Sequence, residues 1–304
     1  MNRIKKKVYS DLDRIPTGQA SDRLIDGCLV LEGGAFRGLY TQGFLDAMMI
    51  NDLNLKCVIG VSAGALSGVS YVSGQIGRSG RINLTYRGDS RYVGRKALIH
   101  SHSILDIGFL VEDRGIISEP LDEKRFYRKD QRFIAVATSC KTGRPVCFEK
   151  GRCSDIMAGI RASATMPYIS PMVMIDGEPY LDGGCSCKIP YLWALKQGFK
   201  KIVVIRTREK GFRKKEKRSR AAYRVYRKYP AFARRLARSN HAYNLQCEEL
   251  ERLHSAGRLL QLTPSQKVTV GRIEKDVEKL GDLYWLGFYD CLDNLRKLRK
   301  YLGV

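Results

Sequence analysis

The sequence predicts an α/β fold built on a mainly parallel sheet, followed by a helical C-terminal extension. Two short apolar runs, residues 27–32 and 56–60, each end in a glycine-rich turn that leads into a helix-like apolar pattern. This repeated order of strand, turn and helix is typical of parallel sheets with right-handed crossovers. The chain has 304 residues and is 44% hydrophobic, which is ordinary for a globular protein and excludes wholesale disorder.

The remaining elements follow from apolar periodicity and from turn-forming residues. Pro167 ends one predicted helix, Pro230 interrupts another, and Asp176-Gly177 predicts a hairpin over 172–181. Residues 78–96 are rich in Arg and Gly and are predicted to form a loop. The predicted strands are 27–32, 56–60, 133–138, 202–205 and 259–262, and the predicted helices are 39–49, 62–71, 156–164 and most of the chain after Ser219.

Composition excludes several classes of protein. No run approaches the roughly 20 apolar residues of a membrane-spanning helix, and no apolar segment of a secretion signal follows the basic N-terminus. The nine cysteines are odd in number and form no Cys-x-x-Cys pair, which favours reduced thiols and a cytoplasmic location. Cys185 and Cys187 lack a second ligand pair at zinc spacing, and no cluster suits calcium, so no metal site is predicted.

The net charge of +23 is concentrated in one segment. Residues 200–238 contain 17 of the 54 Lys and Arg residues and two of the 31 acidic residues, so this segment carries +15. Aromatic and apolar residues recur among its arginines from Tyr223 to Leu236 at near-helical spacing. Such a stretch is typical of contact with an anionic membrane, at about 1 kcal/mol per cation, and equally of a solvated face over a packed helix.

The first glycine turn, at 33–38, has three possible interpretations. A Walker phosphate loop needs Lys and then Ser or Thr after the turn, where this chain has Leu39 and Tyr40. A dinucleotide fingerprint needs glycine in place of Ala35 and an acidic residue near the end of the second strand. The interpretation that remains is a turn that directs backbone N–H groups, with Arg37 nearby, toward a developing oxyanion.

The second glycine turn, Gly60-Val61-Ser62-Ala63-Gly64, has the Gly-x-Ser-x-Gly pattern of a nucleophile elbow. The sharp turn needs small neighbours and raises the serine hydroxyl above the carboxyl end of the sheet. A predicted strand before the turn and a predicted helix after it strengthen this interpretation. The alternative is an ordinary strand-to-helix turn in which Ser62 caps the helix.

A serine nucleophile needs a base. The chain has four histidines, and the two that follow the serine, His241 and His254, lie in Arg- and Glu-rich helical sequence, as surface histidines do. The alternative base is Asp182, because the glycines at 183 and 184 allow a carboxylate at a strand end to approach a nucleophile closely. Taken alone, Asp-Gly-Gly is more often a simple turn.

Together, these blocks resemble the patatin-like phospholipase family. The family has a glycine-rich oxyanion turn, a Gly-x-Ser-x-Gly elbow and a later Asp-Gly-Gly or Asp-Gly-Ala, which correspond here to 33–38, 60–64 and 182–184. A fourth block, Ala162-Ser163-Ala164-Thr165-Met166-Pro167, is similar to the family's Ala-Ser-x-x-x-Pro segment. Less specifically, the C-terminal third resembles the helical extension of bacterial members.

The resemblance implies a three-layer α/β/α fold and an organisation in three regions. These are an N-terminal arm at 1–26, which the polar sequence predicts to be loosely held, a catalytic domain at 27–206, and a basic, mainly helical extension at 207–304 packed on the same domain. In this family a Ser–Asp dyad hydrolyses lipid acyl esters through an acyl-enzyme, without a cofactor. The substrate implied here is a phospholipid or lysophospholipid, with peripheral contact to the inner membrane surface through residues 200–238.

The family's functional residues carry over by position. Ser62 attacks the ester carbonyl, and Asp182 accepts its proton and later activates water. Gly60 and Gly64 shape the elbow, and Gly183 and Gly184 support the dyad. The resemblance assigns the oxyanion hole to Gly33, Gly34, Ala35, Arg37 and Gly38.

One departure keeps other functions open. The third glycine of the family's oxyanion turn is Ala35 here, and alanine tolerates positive φ poorly. The alternatives are a non-catalytic binder of anionic lipid or polyanion with the same fold, and a lipid acyltransferase. Nucleic-acid binding is disfavoured because no recognisable module accompanies the basic segment. A lid within 78–130 is suspected, and the oligomeric state is not predicted.

Overall fold

Parallel strands form the centre of the structure, a computed structural model that describes residues 8–94, 96, 99, 119–216 and 220–304. The strands, numbered in chain order, are β1 Gly18–Gln19, β2 Ile25–Leu31, β3 Leu55–Val61, β4 Gln75–Ile76, β5 Arg132–Ser139, β6 Pro145–Glu149, β7 Val173–Ile175, β8 Glu178–Asp182, β9 Ile202–Ile205 and β10 Leu260–Leu262. The main sheet has the order β10-β9-β2-β3-β5-β8-β7, with β6 also paired to β5. From β10 to β5 the neighbouring strands are parallel, and the pairs that include β6, β7 or β8 are antiparallel.

Helices cover both faces of this sheet. They are α1 Gly38–Ile50, α2 Ala63–Val72, α3 Arg78–Tyr86, α4 Glu123–Phe126, α5 Ile156–Ala164, α6 Tyr191–Lys196, α7 Arg220–Val225, α8 Pro230–Ala237, α9 Ser239–Ser255, α10 Val277–Asp293 and α11 Leu295–Leu302. The predicted three-layer α/β/α fold, with its mainly parallel sheet and helical C-terminal region, is confirmed.

The strands are apolar without alternation because both faces of the sheet are buried. In β2, Leu29 and Leu31 face one core, which also contains side chains of α1, α2, α5 and α10. Cys28 and Val30 face the opposite core, which contains side chains of α6 and α9. A third, smaller cluster packs α8 and Tyr226, the residue after α7, against Leu181 near the end of β8. The C-terminal helices therefore complete both layers that enclose the sheet.

Two glycines allow the close crossing of α1 and α10. A Cβ atom added at Gly43 would lie 2.0 Å from the carbonyl oxygen of Tyr284, and one added at Gly287 would lie 1.9 Å from that of Tyr40. The hydroxyl of Tyr284 also donates a 2.7 Å hydrogen bond to Asp46 of α1. The first and the last long helix of the chain thus meet backbone to backbone.

The predicted loop at 78–96 is wrong for its first part, because residues 78–86 form α3. The arginines that suggested an exposed loop are engaged: Arg78 donates to the carbonyl of Glu119, and Arg81 pairs with the Glu119 carboxylate. Ile82 and Leu84 are buried on the inner side of this helix. Of the suspected lid at 78–130, residues 95, 97, 98 and 100–118 lie outside the described residues, so this prediction stays untested.

Other local predictions are confirmed. The hairpin of β7 and β8 turns at Asp176 and Gly177, both with positive φ. Pro230 separates α7 from α8 by occupying the first turn of the new helix.

Strand β6 was not predicted, since its run 145–149 begins with proline and includes a charged residue.

The part of the N-terminal arm that the structure describes, residues 8–26, packs closely instead of hanging loosely. Tyr9, Ile15 and Ala20 are buried, and β1 pairs with β4 in a small antiparallel ribbon. The polar composition of the arm concealed these three anchors. Among the described residues, no helix is long and apolar enough to span a membrane.

We expect Gly287→Ala to destabilise the protein by more than about 3 kcal/mol, because the added methyl group meets backbone and not a movable side chain. Gly271→Ala is the control, since a Cβ there meets nothing within 4 Å. Urea unfolding of both variants measures the difference. Equal stability of the two variants would contradict the close crossing.

Candidate active site

Ser62 lies in a strained turn between β3 and α2, with φ 55° and ψ −123°. Its flanking glycines permit this geometry: a Cβ at Gly60 would lie 2.6 Å from the backbone nitrogen of Ala65, and one at Gly64 would lie 2.6 Å from the carbonyl oxygen of Leu31. A non-glycine residue in this region of φ stores strain of order 1–3 kcal/mol. Surrounding structure must therefore hold the turn.

Ser163, a buried residue outside the turn, helps to stabilise it by hydrogen bonding. The Ser62 N–H donates a 2.9 Å hydrogen bond to Oγ of Ser163, and the Ser163 hydroxyl donates at 2.6 Å to the carbonyl of Val136. Ser163 belongs to the block at 162–167 noted in the sequence, but sequence reasoning gave it no role. These two hydrogen bonds connect β5, α5 and the serine turn through the hydroxyl of Ser163.

Asp182, the last residue of β8, is hydrogen-bonded to the serine. The Ser62 hydroxyl donates to Oδ2 of Asp182 at 2.7 Å, and the Gly184 N–H donates to Oδ1 at 2.6 Å. Both Ser62 and Asp182 are 8% exposed. Burial raises the pKa of the Asp182 carboxyl above its usual range, against the two hydrogen bonds and the positive charges of Lys188 and Arg272.

The backbone around Asp182 is also fixed. The Asp182 N–H donates to the carbonyl of Thr165 at 2.8 Å, and the Asp182 carbonyl accepts a 2.9 Å hydrogen bond from the Thr138 hydroxyl. A Cβ at Gly183 would lie 2.0 Å from the carbonyl oxygen of Val136, so only glycine fits after the aspartate. These contacts set the direction of the carboxylate toward Ser62.

The first glycine turn lies beside Ser62, and most of its N–H groups are occupied. Gly33 donates to the carbonyl of Lys188, Arg37 to that of Gly34, and Gly38 to that of Ala35. Within the described residues no acceptor is found for the N–H groups of Gly34 and Ala35. Both of these residues line a cavity that contains Ser62.

Ala35 adopts φ 50°, the conformation for which the sequence suggested glycine. An L-residue in this region costs roughly 1–2 kcal/mol, so the alanine is accommodated with strain and the turn keeps its shape. Alanine in place of the family's third glycine therefore does not change the backbone conformation of the turn.

Glu32, which precedes the turn, forms a buried ion pair with Arg206. Arg206 Nε lies 3.0 Å from Glu32 Oε2, and the two side chains are 1% and 3% exposed. The N–H of Thr207 donates to the same oxygen at 2.7 Å, and Arg206 also donates to the Tyr243 hydroxyl. Burial alone would raise the pKa of Glu32, but the charge of Arg206 and the Thr207 N–H lower it overall.

Two cavities meet at Ser62. One is narrow, about 30 Å³, and is lined mainly by apolar side chains, among them Phe36, Leu39 and Leu66. The other is about 470 Å³ and also contains Asp182. Its charged lining consists of Arg37, Asp182, Lys188, Lys214 and Arg272.

Neither histidine considered as a base lies near the serine. His241 is bonded to Glu216 on the surface, and His254 lies beside the carbonyl of Leu259. His100 and His102 lie outside the described residues. All nine cysteines are free thiols, and no group of three His, Cys, Asp or Glu side chains in the described ranges is arranged to hold a metal ion.

The structure defines an α/β protein with a strained serine turn between a central parallel strand and a helix. A family model described as patatin-like phospholipase matches residues 29–195, more than half of the chain. The chain belongs to the patatin-like phospholipase family. A second model, described as a domain of unknown function (DUF6363), matches residues 229–303 and covers most of the C-terminal helices.

Comparisons with individual proteins cover only part of each relative. The chain is 31% identical over 186 residues to the uncharacterized protein YjjU of Escherichia coli K12, spanning 59% of this chain and 51% of that protein. It is 28% identical over 193 residues to the probable lipid hydrolase 463L of Invertebrate iridescent virus 6, spanning 57% and 64%. The crystal structure of VipD from Legionella pneumophila superposes with a TM-score of 0.49 at 11% identity, covering 98% of this chain and 72% of that one.

We expect Asp182→Asn to be at least as stable as the wild type at neutral pH. The folded state raises the pKa of this carboxyl above its unfolded value of about 3.9, so ionisation in the folded protein costs stability as pH rises through the folded pKa. Asparagine removes that cost. The free energy of unfolding of the variant relative to wild type should therefore increase as pH rises above about 4, the pKa of the unfolded carboxyl.

Urea unfolding at several pH values measures this difference, and Asp176→Asn, in the exposed hairpin turn, is the control. A loss of stability in Asp182→Asn that does not change with pH would show that the hydrogen bonds of the carboxylate outweigh its burial.

Proposed function

We propose that this protein is a serine acyl-ester hydrolase acting on phospholipid or lysophospholipid through Ser62 and Asp182. The observation that carries the proposal is the 2.7 Å hydrogen bond from the Ser62 hydroxyl to a buried carboxylate, at a strained turn beside two N–H groups that have no acceptor among the described residues. Membership of the patatin-like phospholipase family supports it. The name of the viral relative, a probable lipid hydrolase, agrees with this class of reaction.

In the proposed reaction Ser62 Oγ attacks the ester carbonyl carbon while its proton passes to Asp182. The carbonyl oxygen becomes an oxyanion, and the N–H groups of Gly34 and Ala35 donate to it. One such donor is typically worth about 10²–10³ in kcat. Of the five residues predicted for this role, these two have N–H groups with no acceptor in the described part of the protein, whereas the N–H groups of Gly33, Arg37 and Gly38 are hydrogen-bonded.

The remaining steps return the enzyme to its starting state. As the tetrahedral intermediate collapses, the ester C–O bond breaks and the leaving alcohol takes the proton from Asp182. A water molecule then attacks the acyl-enzyme, Asp182 accepts its proton, and that proton returns to Ser62 Oγ when the fatty acid leaves. The apolar cavity suits the acyl chain, although side chains must move to widen it.

The basic helices lie at the rim of the site. Leu236 and Ala237 of α8 line the larger cavity, and the N–H of Tyr168, another lining residue, donates to the Tyr226 hydroxyl at 2.7 Å. On α7 the side chains of Tyr223 and Val225 are half exposed. We propose that this surface docks on anionic membrane and presents the cavity to lipid.

Only part of the basic segment is available for docking. Arg206 forms an ion pair with Glu32, and Arg213 forms one with Glu251. Lys214 lies over the ring of Tyr243. Lys200, Lys210 and Lys215 are exposed in the earlier part of the segment. Seven further exposed cations lie on α7, α8 and the connection between them: Arg220, Arg224, Arg227, Lys228, Arg234, Arg235 and Arg238. The proposed docking surface is 220–238, narrower than the predicted 200–238, because this part carries most of the exposed cations and also borders the larger cavity.

A fluorophosphonate probe tests the reaction. We expect wild type to be labelled and to hydrolyse a short-chain p-nitrophenyl ester, and Ser62→Ala and Asp182→Asn to lose at least about a thousandfold in rate. Ser67→Ala is the matched control, because Ser67 is buried one helical turn further on and its hydroxyl bonds only the carbonyl of Ala63. A folded wild type that is neither labelled nor active, with or without anionic vesicles, would favour the non-catalytic binder.

Vesicle sedimentation tests the docking surface. We expect binding to phosphatidylglycerol-containing vesicles to weaken as salt rises, and the triple variant Arg224→Gln, Arg227→Gln, Lys228→Gln to bind at least about tenfold more weakly. The matched control neutralises three exposed cations on α11, Arg296, Lys297 and Lys300. Equal losses in both triple variants would indicate a general charge effect and no specific surface.

A further inference from the structure

Four cations from separate segments converge on the cavity beside Ser62. Arg37 comes from the first glycine turn, Lys188 from the chain after β8, Lys214 from the segment after β9, and Arg272 from the connection between β10 and α10. Asp182 is the single acidic residue among those that line the cavity in the described structure. Its carboxylate is already bonded to Ser62 and to the Gly184 N–H.

Arg37 is buried, and no carboxylate of the described residues forms an ion pair with it. Its side chain is 6% exposed, and its Nε has no hydrogen-bond partner among the described residues. The nearby carboxylate of Glu32 is already bonded to Arg206 and Thr207. A guanidinium that lines a cavity and lacks a partner indicates that an external anion completes its bonding.

The two lysines are held in place, and burial lowers the pKa of both. Lys188 Nζ donates to the carbonyls of Gly184 and Ser239, and Lys214 Nζ lies 4.3 Å from the centre of the Tyr243 ring. Burial lowers the pKa of Lys188 to about 8. Burial, with repulsion from Lys188 and Arg272, lowers the pKa of Lys214 to about 6.

We infer that Arg37, Lys188, Lys214 and Arg272 bind the phosphate of the substrate's leaving alcohol, and that these side chains make the site prefer a phosphorylated glycerol ester over a neutral one. The cavity volume of 470 Å³ is in the range of known ligand sites, about 300–1,000 Å³. The acyl chain occupies the apolar cavity on the other side of Ser62, and the ester carbonyl lies between the two. This inference rests on the proposed function, since it names the residues that recognise the substrate's phosphate at that same site.

The test uses short-chain esters that stay monomeric, so that docking of 220–238 on a lipid surface does not contribute. The two substrates are hexanoyl glycerol phosphate and hexanoyl glycerol, which differ only in the phosphate. We expect wild type to prefer the phosphorylated ester at least about tenfold in kcat/KM. In Lys214→Met combined with Arg272→Gln, this preference should fall to about threefold or less, mainly through KM.

Arg258→Gln is the matched control. Arg258 is exposed and precedes β10, at the amino end of the parallel strands and therefore away from Ser62. The wild-type preference should persist in this variant. A preference that is equal in wild type and in the double variant would overturn the inference, while hydrolysis of both esters would leave the proposed function standing.

A binding measurement distinguishes failure of this inference from failure of the proposed function. It also distinguishes binding of a glycerol phosphate group from binding of free phosphate. Calorimetry with the Ser62→Ala protein measures binding of glycerol phosphate and of inorganic phosphate without turnover. Binding of glycerol phosphate that the double variant weakens at least about tenfold supports the inference, even if ester turnover is absent. Binding of inorganic phosphate alone would overturn it in favour of a site for free phosphate, and binding of neither would overturn it outright.

Discussion

The buried ion pair between Glu32 and Arg206 fixes the end of the sheet on which the candidate site is built. It joins the chain just after β2 to the chain just after β9, its neighbour in the sheet, and Arg206 extends the contact to Tyr243 of α9. Breaking such a pair by removing one partner costs about 3–5 kcal/mol. The first glycine turn begins at the next residue, so its position beside Ser62 depends on two strands and one C-terminal helix.

The site combines local strain with distant support. Ser62 and Ala35 both hold positive φ without being glycine, and neither turn is stabilised by its own residues alone. The Ser163 side chain is hydrogen-bonded to the Ser62 turn. The turn that contains Ala35 is connected to the C-terminal region, because the Phe36 N–H donates to the carbonyl of Arg272. The cations around Asp182 act in the same way, because their charge offsets part of the cost of burying an ionised carboxylate.

The sequence predicted the parts of the fold whose signals are local. The apolar runs of the strands, the two glycine turns and the Asp176-Gly177 hairpin each depend on a few adjacent residues. The helix at 78–86 could not be predicted, because its arginines are bonded to Glu119, about forty residues away. For the same reason Ser163 and the convergence of Lys188, Lys214 and Arg272 carried no sequence signal. Each of these contacts is set by tertiary packing.

The crossing of Gly43 and Gly287 has a consequence for how the protein is made. The two glycines are separated by 244 positions in the chain, and a ribosome that adds about 5–20 residues per second needs about 10–50 s to pass from one to the other. During that interval the nascent α1 has no partner for the face that α10 covers. Ser62 and Asp182 are already synthesised by then, but the layer that completes their surroundings arrives last, which makes the emerging chain a natural client for chaperones.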